Sequence, residues 1–346
     1  MARSLYRASL ALTPVVLLAR YAFHATGAVL FVLSAATLIP LAFLIGEATE
    51  SVAEHAGSRV GGFMNASFGN APELLIALFA IGDGLPNVVR GSLTGSVVST
   101  ALVVLGAAVA YGGGGEIDRR SLMLQVTLLL LAVGLFLIPS IPGWHGDPDR
   151  HSLYLLSLPV AAALLVLYLA ATAHNLRGPS APPPEGKATR RSQSLRRALL
   201  ALGVATVATA AISHVLVHSL EAFVDQLGLS QFFVSAVIVA LVGNAAEHGG
   251  AIVTARHGHS GLGAEIAVSS STQVAVLVTP VIVLISGLVG HGLTLSFRPV
   301  EIAAMGGAAV AVAAVINDAR ARRWEGFALL GGYAIAVAAF WLAGDR

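Results

Sequence analysis

Gly69-Asn70-Ala71-Pro72-Glu73 and Gly243-Asn244-Ala245-Ala246-Glu247 decide how this chain is read. The two copies lie 174 residues apart, and each sets an asparagine and a glutamate inside a long apolar run. At the same offset Glu47 meets Glu221, and Ser96 meets Ser270. Three unrelated polar positions in one register argue for a duplicated block of about five spans. An odd number of spans reverses direction across a bilayer, so the copies are expected as inverted repeats, an arrangement typical of secondary transporters.

The composition around these stretches belongs to a membrane protein. Of 346 residues, 56% are hydrophobic and 11% charged, with mean hydropathy +0.82, whereas a soluble domain carries about a quarter charged residues. Hydropathy places spans at about 8–24, 28–52, 61–82, 87–110, 122–140, 152–172, 198–220, 229–255, 261–289, 299–316 and 324–343. The expected fold is therefore an all-α integral membrane protein of about 11 transmembrane helices, two inverted five-helix repeats plus one extra N-terminal helix. The units fall at 1–26 (extra helix), 27–173 (first repeat), 174–197 (a basic, Pro-rich cytoplasmic linker) and 198–346 (second repeat). With the N-terminus in the cytoplasm, fifteen Lys and Arg residues fall in inside loops, and only Arg90, Arg150, Arg298 and Arg346 fall outside. That asymmetry places the C-terminus outside, and the expected setting is a cell inner (plasma) membrane, with an organelle membrane as the alternative. The chain has no cysteine, which removes thiolate metal sites and redox pairs. No nucleophile triad or nucleotide fingerprint occurs, and the linker lacks the aromatic residues of a nucleic-acid platform.

Glu73 and Glu247 fall near mid-bilayer, where an ionised carboxylate costs a few kcal/mol unless paired or solvated. Each is a functional candidate, the alternative being a protonated glutamic acid serving helix packing. Asn70 and Asn244 stand three residues earlier, on the same helical face. Gly69 and Gly243 permit a local break, and Pro72 suits the first turn of a restarting half-helix. Main-chain carbonyls at the break, two carboxylates, two amides and the hydroxyls of Ser96, Ser99, Ser270 and Ser271 make an oxygen-only site suited to a hard cation. Two carboxylates neutralise one divalent ion and take up protons in its absence, so cation and proton compete for the same groups.

Other features admit two readings each. His214, His218 and Glu221 form one stripe that lines a hydrated access path, serves packing, or ligates zinc. His248 tunes the site or bonds to a neighbouring helix. Glu47, Glu50 and Glu54 form a cation-concentrating entrance or a solvated helix end. Gly112 to Gly115 is a flexible turn.

At these residues the sequence resembles the Ca2+/H+ antiporters, the cation/proton exchanger branch of the calcium/cation antiporter superfamily. The resemblance runs over nearly the whole chain, through Leu41 to Glu50, Asn65 to Glu73, Gly95-Ser96 with Ser99, Gly243 to His248, and Ser270 to Gln273. It implies export of Ca2+ from the cytoplasm against inward H+, with Glu73 and Glu247 as shared carriers and Asn70 and Asn244 as paired ligands. Ser99 and Gln273 would line the same cavity, with Glu47 and Glu221 toward the access paths. Ca2+ and H+ are then transported ions, no cofactor is expected, and the partners are those ions and the lipid bilayer. Pro72 stands where the family usually has Thr, and Thr100 where the first repeat commonly has Asn. Glu265 stands where a small residue is usual, and the linker lacks the acidic stretch found in many members. The rivals are an Na+ or K+ coupled exchanger of the same fold, a passive channel, and a metal-dependent intramembrane enzyme built on His214, His218 and Glu221.

Overall fold

The computed structural model describes residues 2–25, 27–56, 64, 68–112, 115–116, 118–177, 194–318 and 320–345. Most of the linker, including Lys187, Arg190 and Arg191, lies outside the described residues, as do Arg59, Asn65 and the middle of the glycine run.

The chain is helical almost throughout. α1 (Ala2–Tyr21) and α2 (Ala28–Ala56) are followed by the short α3 (Ala71–Gly82) and by α4 (Pro86–Tyr111), α5 (Arg119–Gly143) and α6 (His151–Arg177). After the linker come α7 (Leu195–Leu227), the bent pair α8 (Gln231–Gly243) and α9 (Ala245–Arg256), then α10 (Ser260–Ser286), α11 (Pro299–Ile316) and α12 (Arg323–Ala343). Two two-residue strands, Gly115–Glu116 and Arg320–Ala321, pair antiparallel and tie the α4–α5 connection to the α11–α12 connection.

Among the described residues eight helices are long and apolar enough to cross a membrane, and α8 with α9 makes a ninth candidate bent by 59°. Ala11–Tyr21 and Ala71–Gly82, in the first and third expected spans, are shorter apolar helices.

The 174-residue offset extends from polar residues to the elements themselves. α3 begins at Ala71 and α9 at Ala245; α4 begins at Pro86 and α10 at Ser260. A π-helical turn interrupts α4 at Thr100–Val104 and α10 at Val274–Val278, again the same shift. Such turns insert one residue into the helical ladder and recur at functional sites. Where α4 and α10 meet, Ser271 Oγ donates to the Val97 carbonyl at 2.9 Å, and these two positions are themselves 174 residues apart.

Around this centre, α2 and α7 pack antiparallel. Gln226 Oε1 accepts the Ala28 N–H at 3.0 Å, and Phe31 stacks on Phe223 at 4.2 Å. The core is built from Val, Leu, Ile and Ala of α2, α4, α5, α7, α10 and α11, while residues such as Val166, Val204, Val207 and Ile335 stay exposed, as a lipid-facing surface requires.

One close approach depends on glycine. A β-carbon at Gly95 would collide with the Ala236 carbonyl in the π-helical turn of α8, Ser235–Val239. Gly95→Val is therefore expected to destabilise the detergent-solubilised protein by about 1–3 kcal/mol. Gly134→Ala, in α5 with nothing within 4 Å, should raise stability by about 0.5–1 kcal/mol through helix propensity. Melting curves of both variants by static light scattering test the pair.

Candidate functional site

Both sequence breaks are backbone breaks of one geometry. Asn70 precedes α3 with φ −96° and ψ 16°, and Asn244 precedes α9 with φ −89° and ψ 11°. A helix cannot continue through these angles, and Gly243, before the second break, leaves room for the Glu73 side chain. Neither asparagine caps its own helix. Asn70 Nδ2 instead donates to Gln273 Oε1 at 3.3 Å, and Asn244 Nδ2 donates to Ser96 Oγ at 2.7 Å and to the Ala240 carbonyl at 2.9 Å. Each break is thus held by the helix of the other half that carries the serine motif.

Glu73 and Glu247 occupy the first turns of α3 and α9. Pro72, also in the first turn of α3, needs no backbone donor there. Glu73 is 7% exposed and reaches across to the second break, where a β-carbon on Gly243 would sit 3.1 Å from Glu73 Oε1. The two carboxyl groups lie within electrostatic range of each other. Both oxygens of Glu73, Oε2 of Glu247, Oδ1 of Asn244 and Oγ of Ser270 are buried with no hydrogen-bond partner in the protein. Nearly all buried polar atoms in proteins are paired, and an unmet cluster made of oxygen atoms calls for a ligand that accepts lone pairs: a proton or a hard cation.

The other expected residues divide. Ser96, Ser99 and Ser270 are all buried in the same region; Ser99 Oγ turns back to the Ser96 carbonyl at 3.4 Å, which leaves Ser96 as the serine that positions Asn244. His248 Nε2 lies 3.3 Å from Thr100 Oγ1, a bond to a neighbouring helix at the very position where the family pattern has an amide. Glu47 is half-buried in the C-terminal half of α2, and Glu221 is exposed toward the C-terminal end of α7, so neither belongs to the central cluster. His218 Nδ1 pairs with Asp83 Oδ2 at 3.0 Å. Among the described residues no group of three or more His, Asp or Glu is arranged to hold a metal ion, which removes the zinc reading of His214, His218 and Glu221. Glu265 Oε1 accepts from Ser121 Oγ at 3.3 Å, which gives this unusual carboxylate a partner on α5.

Sequence reasoning missed two residues. Asp83 looks like an ordinary turn residue between two spans, and nothing local marks it as the partner of a histidine 135 positions later. Arg90, counted with the outside loops, is instead 2% exposed on α4. Its guanidinium grips Asp149 through two bonds, at 2.7 and 3.0 Å, and donates to Thr294 Oγ1 at 3.1 Å and Asn87 Oδ1 at 3.0 Å. It anchors the serine-bearing helix to the α5–α6 connection and to the segment before α11.

A helical bundle with paired, buried, oxygen-only breaks belongs to the class of membrane ion exchangers. Comparison with known proteins agrees: the model of the sodium/calcium exchanger protein family matches residues 26–177 and 197–342, and the chain belongs to that family. It is an integral membrane transporter and not an enzyme. The chain is 36% identical over 330 residues to the Ca2+/H+ antiporter ChaA of Bacillus subtilis, covering 92% of this chain and 93% of that protein. It is 32% identical to the Ca2+/H+ antiporter of Synechocystis, covering 90% of each. Among solved structures, native YfkE superposes with a TM-score of 0.85 at 34% identity, over 98% of this chain and 99% of that one. The H+/Ca2+ exchanger CAX superposes at 0.76 with 17% identity, over 98% and 92%, a likeness of fold.

The Arg90 anchor yields an asymmetric prediction. Asp149→Ala leaves a buried guanidinium without its counter-charge and should cost about 3–5 kcal/mol. Arg90→Met should cost less, because Asp149, 36% exposed, remains solvated. Thermal unfolding in detergent ranks the two; equal losses would contradict the assignment.

Proposed function

We propose that this chain is a Ca2+/H+ antiporter that exports Ca2+ from the cytoplasm in exchange for H+. The observation that carries the reading is the buried oxygen cluster at the two breaks, in a chain whose relatives are named as Ca2+/H+ antiporters. Glu73 and Glu247 form the shared site near the bilayer midplane, where Ca2+ and protons displace one another. Asn70 and Asn244 are the amide ligands, and Ser96, Ser99, Ser270 and Gln273 line the cavity. His248 adjusts Glu247 through its bond to Thr100, while Glu47 and Glu221 stand on the access paths, with His218 on the Glu221 side.

Eleven spans accommodate this scheme: the eight long helices, the bent pair as one, and the helices at Ala11–Tyr21 and Ala71–Gly82 as the first and third. Two inverted five-span repeats, 27–173 and 198–346, follow an extra helix at 1–26. The matching start points and π-helical turns at one offset support the duplication. The N-terminus and the 174–197 linker then lie in the cytoplasm and the C-terminus outside, in a plasma membrane. Inversion makes the two faces of the site interchangeable, which is the structural requirement for alternating access. Protons entering from outside release Ca2+, and cytoplasmic Ca2+ releases the protons, so one set of carboxylates performs both halves of the cycle.

Uptake of radiolabelled Ca2+ into proteoliposomes, driven by ΔpH with proton efflux read in parallel, tests the reading. Native protein should accumulate Ca2+ until a protonophore collapses the gradient, and Glu73→Gln or Glu247→Gln should each abolish accumulation. Accumulation that ignores ΔpH and follows an Na+ or K+ gradient would replace the proton with that ion. A second expectation separates the serines. Ser96→Ala should raise the KM for Ca2+ roughly two- to tenfold, the equivalent of one orienting hydrogen bond of about 0.5–1.5 kcal/mol, and Ser99→Ala should change it less.

A further inference from the structure

The polar contact between Asp83 and His218 is outside the glutamate site and has no counterpart in the other half. His218 Nδ1 and Asp83 Oδ2 are 3.0 Å apart, with side chains 36% and 33% exposed. They face each other across an open cleft of about 290 Å³ lined also by Leu85, Val217 and Glu221. His218 lies on α7, and Asp83 caps the C-terminal end of α3. Glu73 sits in the first turn of that same short helix, about 15 Å away at 1.5 Å per residue. α3 is therefore a rigid strut between the cleft and the central site.

The charges around the pair are few. On α7 itself, the His214 and His218 rings lie tilted with centroids 4.3 Å apart, Glu221 follows one turn later and the exposed Asp225 two turns later. On α3, His214 meets Phe79 edge-on at 5.2 Å, and the helix's remaining titratable group is Glu73. Arg20 of α1 acts electrostatically on His214. The outer half of α2 carries no titratable side chain from Ala28 to Gly46, and α8 carries none from Gln231 to Val234. Asp83 stands at the negative end of the α3 dipole, where a carboxylate is disfavoured and a cation is favoured. An imidazolium at His218 supplies that cation.

The internal repeat shows that the contact is one-sided. At the equivalent positions, His257 replaces Asp83 and Leu44 replaces His218, and His257 Nδ1 turns to the Val253 carbonyl of its own helix at 2.7 Å. In a transporter built on repeated halves, a titratable bridge at one of two equivalent places gives that face a response to the pH of its own solution that the equivalent positions on the other lack.

We propose that Asp83 and His218 form a proton-binding site at the outer mouth of the transport path, separate from the glutamate pair, and that protonating it fastens α7 to the outer end of α3. This rests on the antiporter reading, which places the cleft on the outer face. When the imidazole is charged, the bridge is a charge-assisted hydrogen bond; when it is neutral, an ordinary one remains. External acid thus opposes separation of the two elements that line the cleft.

The test is Ca2+ transport by oriented proteoliposomes, with outer pH varied at clamped inner pH. Each protein is read as its own ratio of rates at acid and alkaline outer pH, so that differences in folded amount cancel. Asp83→Asn and His218→Gln should each raise the acid-side rate over native by roughly two- to fivefold, an excess that shrinks as outer pH rises. The double variant should match either single one, the KM for cytoplasmic Ca2+ should stay within about twofold, and His218→Lys, with a fixed charge, should keep the native acid-side rate without the relief the native protein gains as outer pH rises. A native outer-pH profile in the single variants, additive effects in the double one, or an equal response to inner pH would overturn the proposal. A native protein without ΔpH-driven Ca2+ transport would instead overturn the antiporter reading beneath it.

Discussion

The structure depends on one constraint: carboxylate oxygens cannot be left buried without something to hold, and here Glu73 is buried and Glu247 half-buried, with three of their four oxygens buried and unpaired by protein donors. Ordinary packing would have supplied serine hydroxyls or backbone N–H groups to them. Instead the amide nitrogens of Asn70 and Asn244 donate to Gln273 and Ser96, and at the second break the Asn244 amide oxygen is buried without a protein donor. The arrangement keeps donors out of a volume lined by acceptors, which is the chemistry a hard cation or a pair of protons needs and hydrophobic packing does not.

Holding such a site requires a rigid frame, and the repeat provides it twice. Each break is fixed by the helix of the opposite half, so neither half builds its part of the site alone. The π-helical turns in α4 and α10 begin directly after the serine and glutamine positions, and the close approach at Gly95 lets α4 lie against the α8 backbone. The halves are not copies in detail. Arg90 and Asp149 brace the first half, while Arg298 lies 3.7 Å over the Phe232 ring and Asp345 accepts the Gln231 and Phe232 N–H groups to brace the second. Such departures from symmetry are where the two faces of a transporter can be given different properties.

Much of this was legible in the sequence because polar residues stand out against an apolar background. Glu73, Glu247 and their asparagines are conspicuous in spans that are otherwise rich in Ala, Leu, Val and Gly, and their common offset is shared by the starts of α3 and α9, the starts of α4 and α10, and the π-helical turns. The all-helical membrane class and the grouping of Asn70, Asn244 and Ser96 about the breaks follow the same logic, while Gln273 was legible only through the family resemblance. What stayed hidden depends on distance rather than pattern. Asp83 reads as a turn residue and Arg90 as a loop charge, because burial and partners 59 or more residues away leave no local mark. The π-helical turns are equally silent, since an inserted residue in a uniformly apolar helix changes no periodicity that the eye can follow. His214 and His218 showed a stripe but not the contact that His218 makes with Asp83.

The central claim is that both carboxylates serve one ion and give up protons to it. Calorimetric titration of the purified protein with Ca2+, in buffers of different ionisation enthalpy, counts those protons directly. The account predicts one Ca2+ per chain, proton release on binding, and a smaller release together with weakened binding in Glu73→Gln and in Glu247→Gln alike. Binding of Ca2+ with no proton release, or binding that survives intact in either variant, would contradict it.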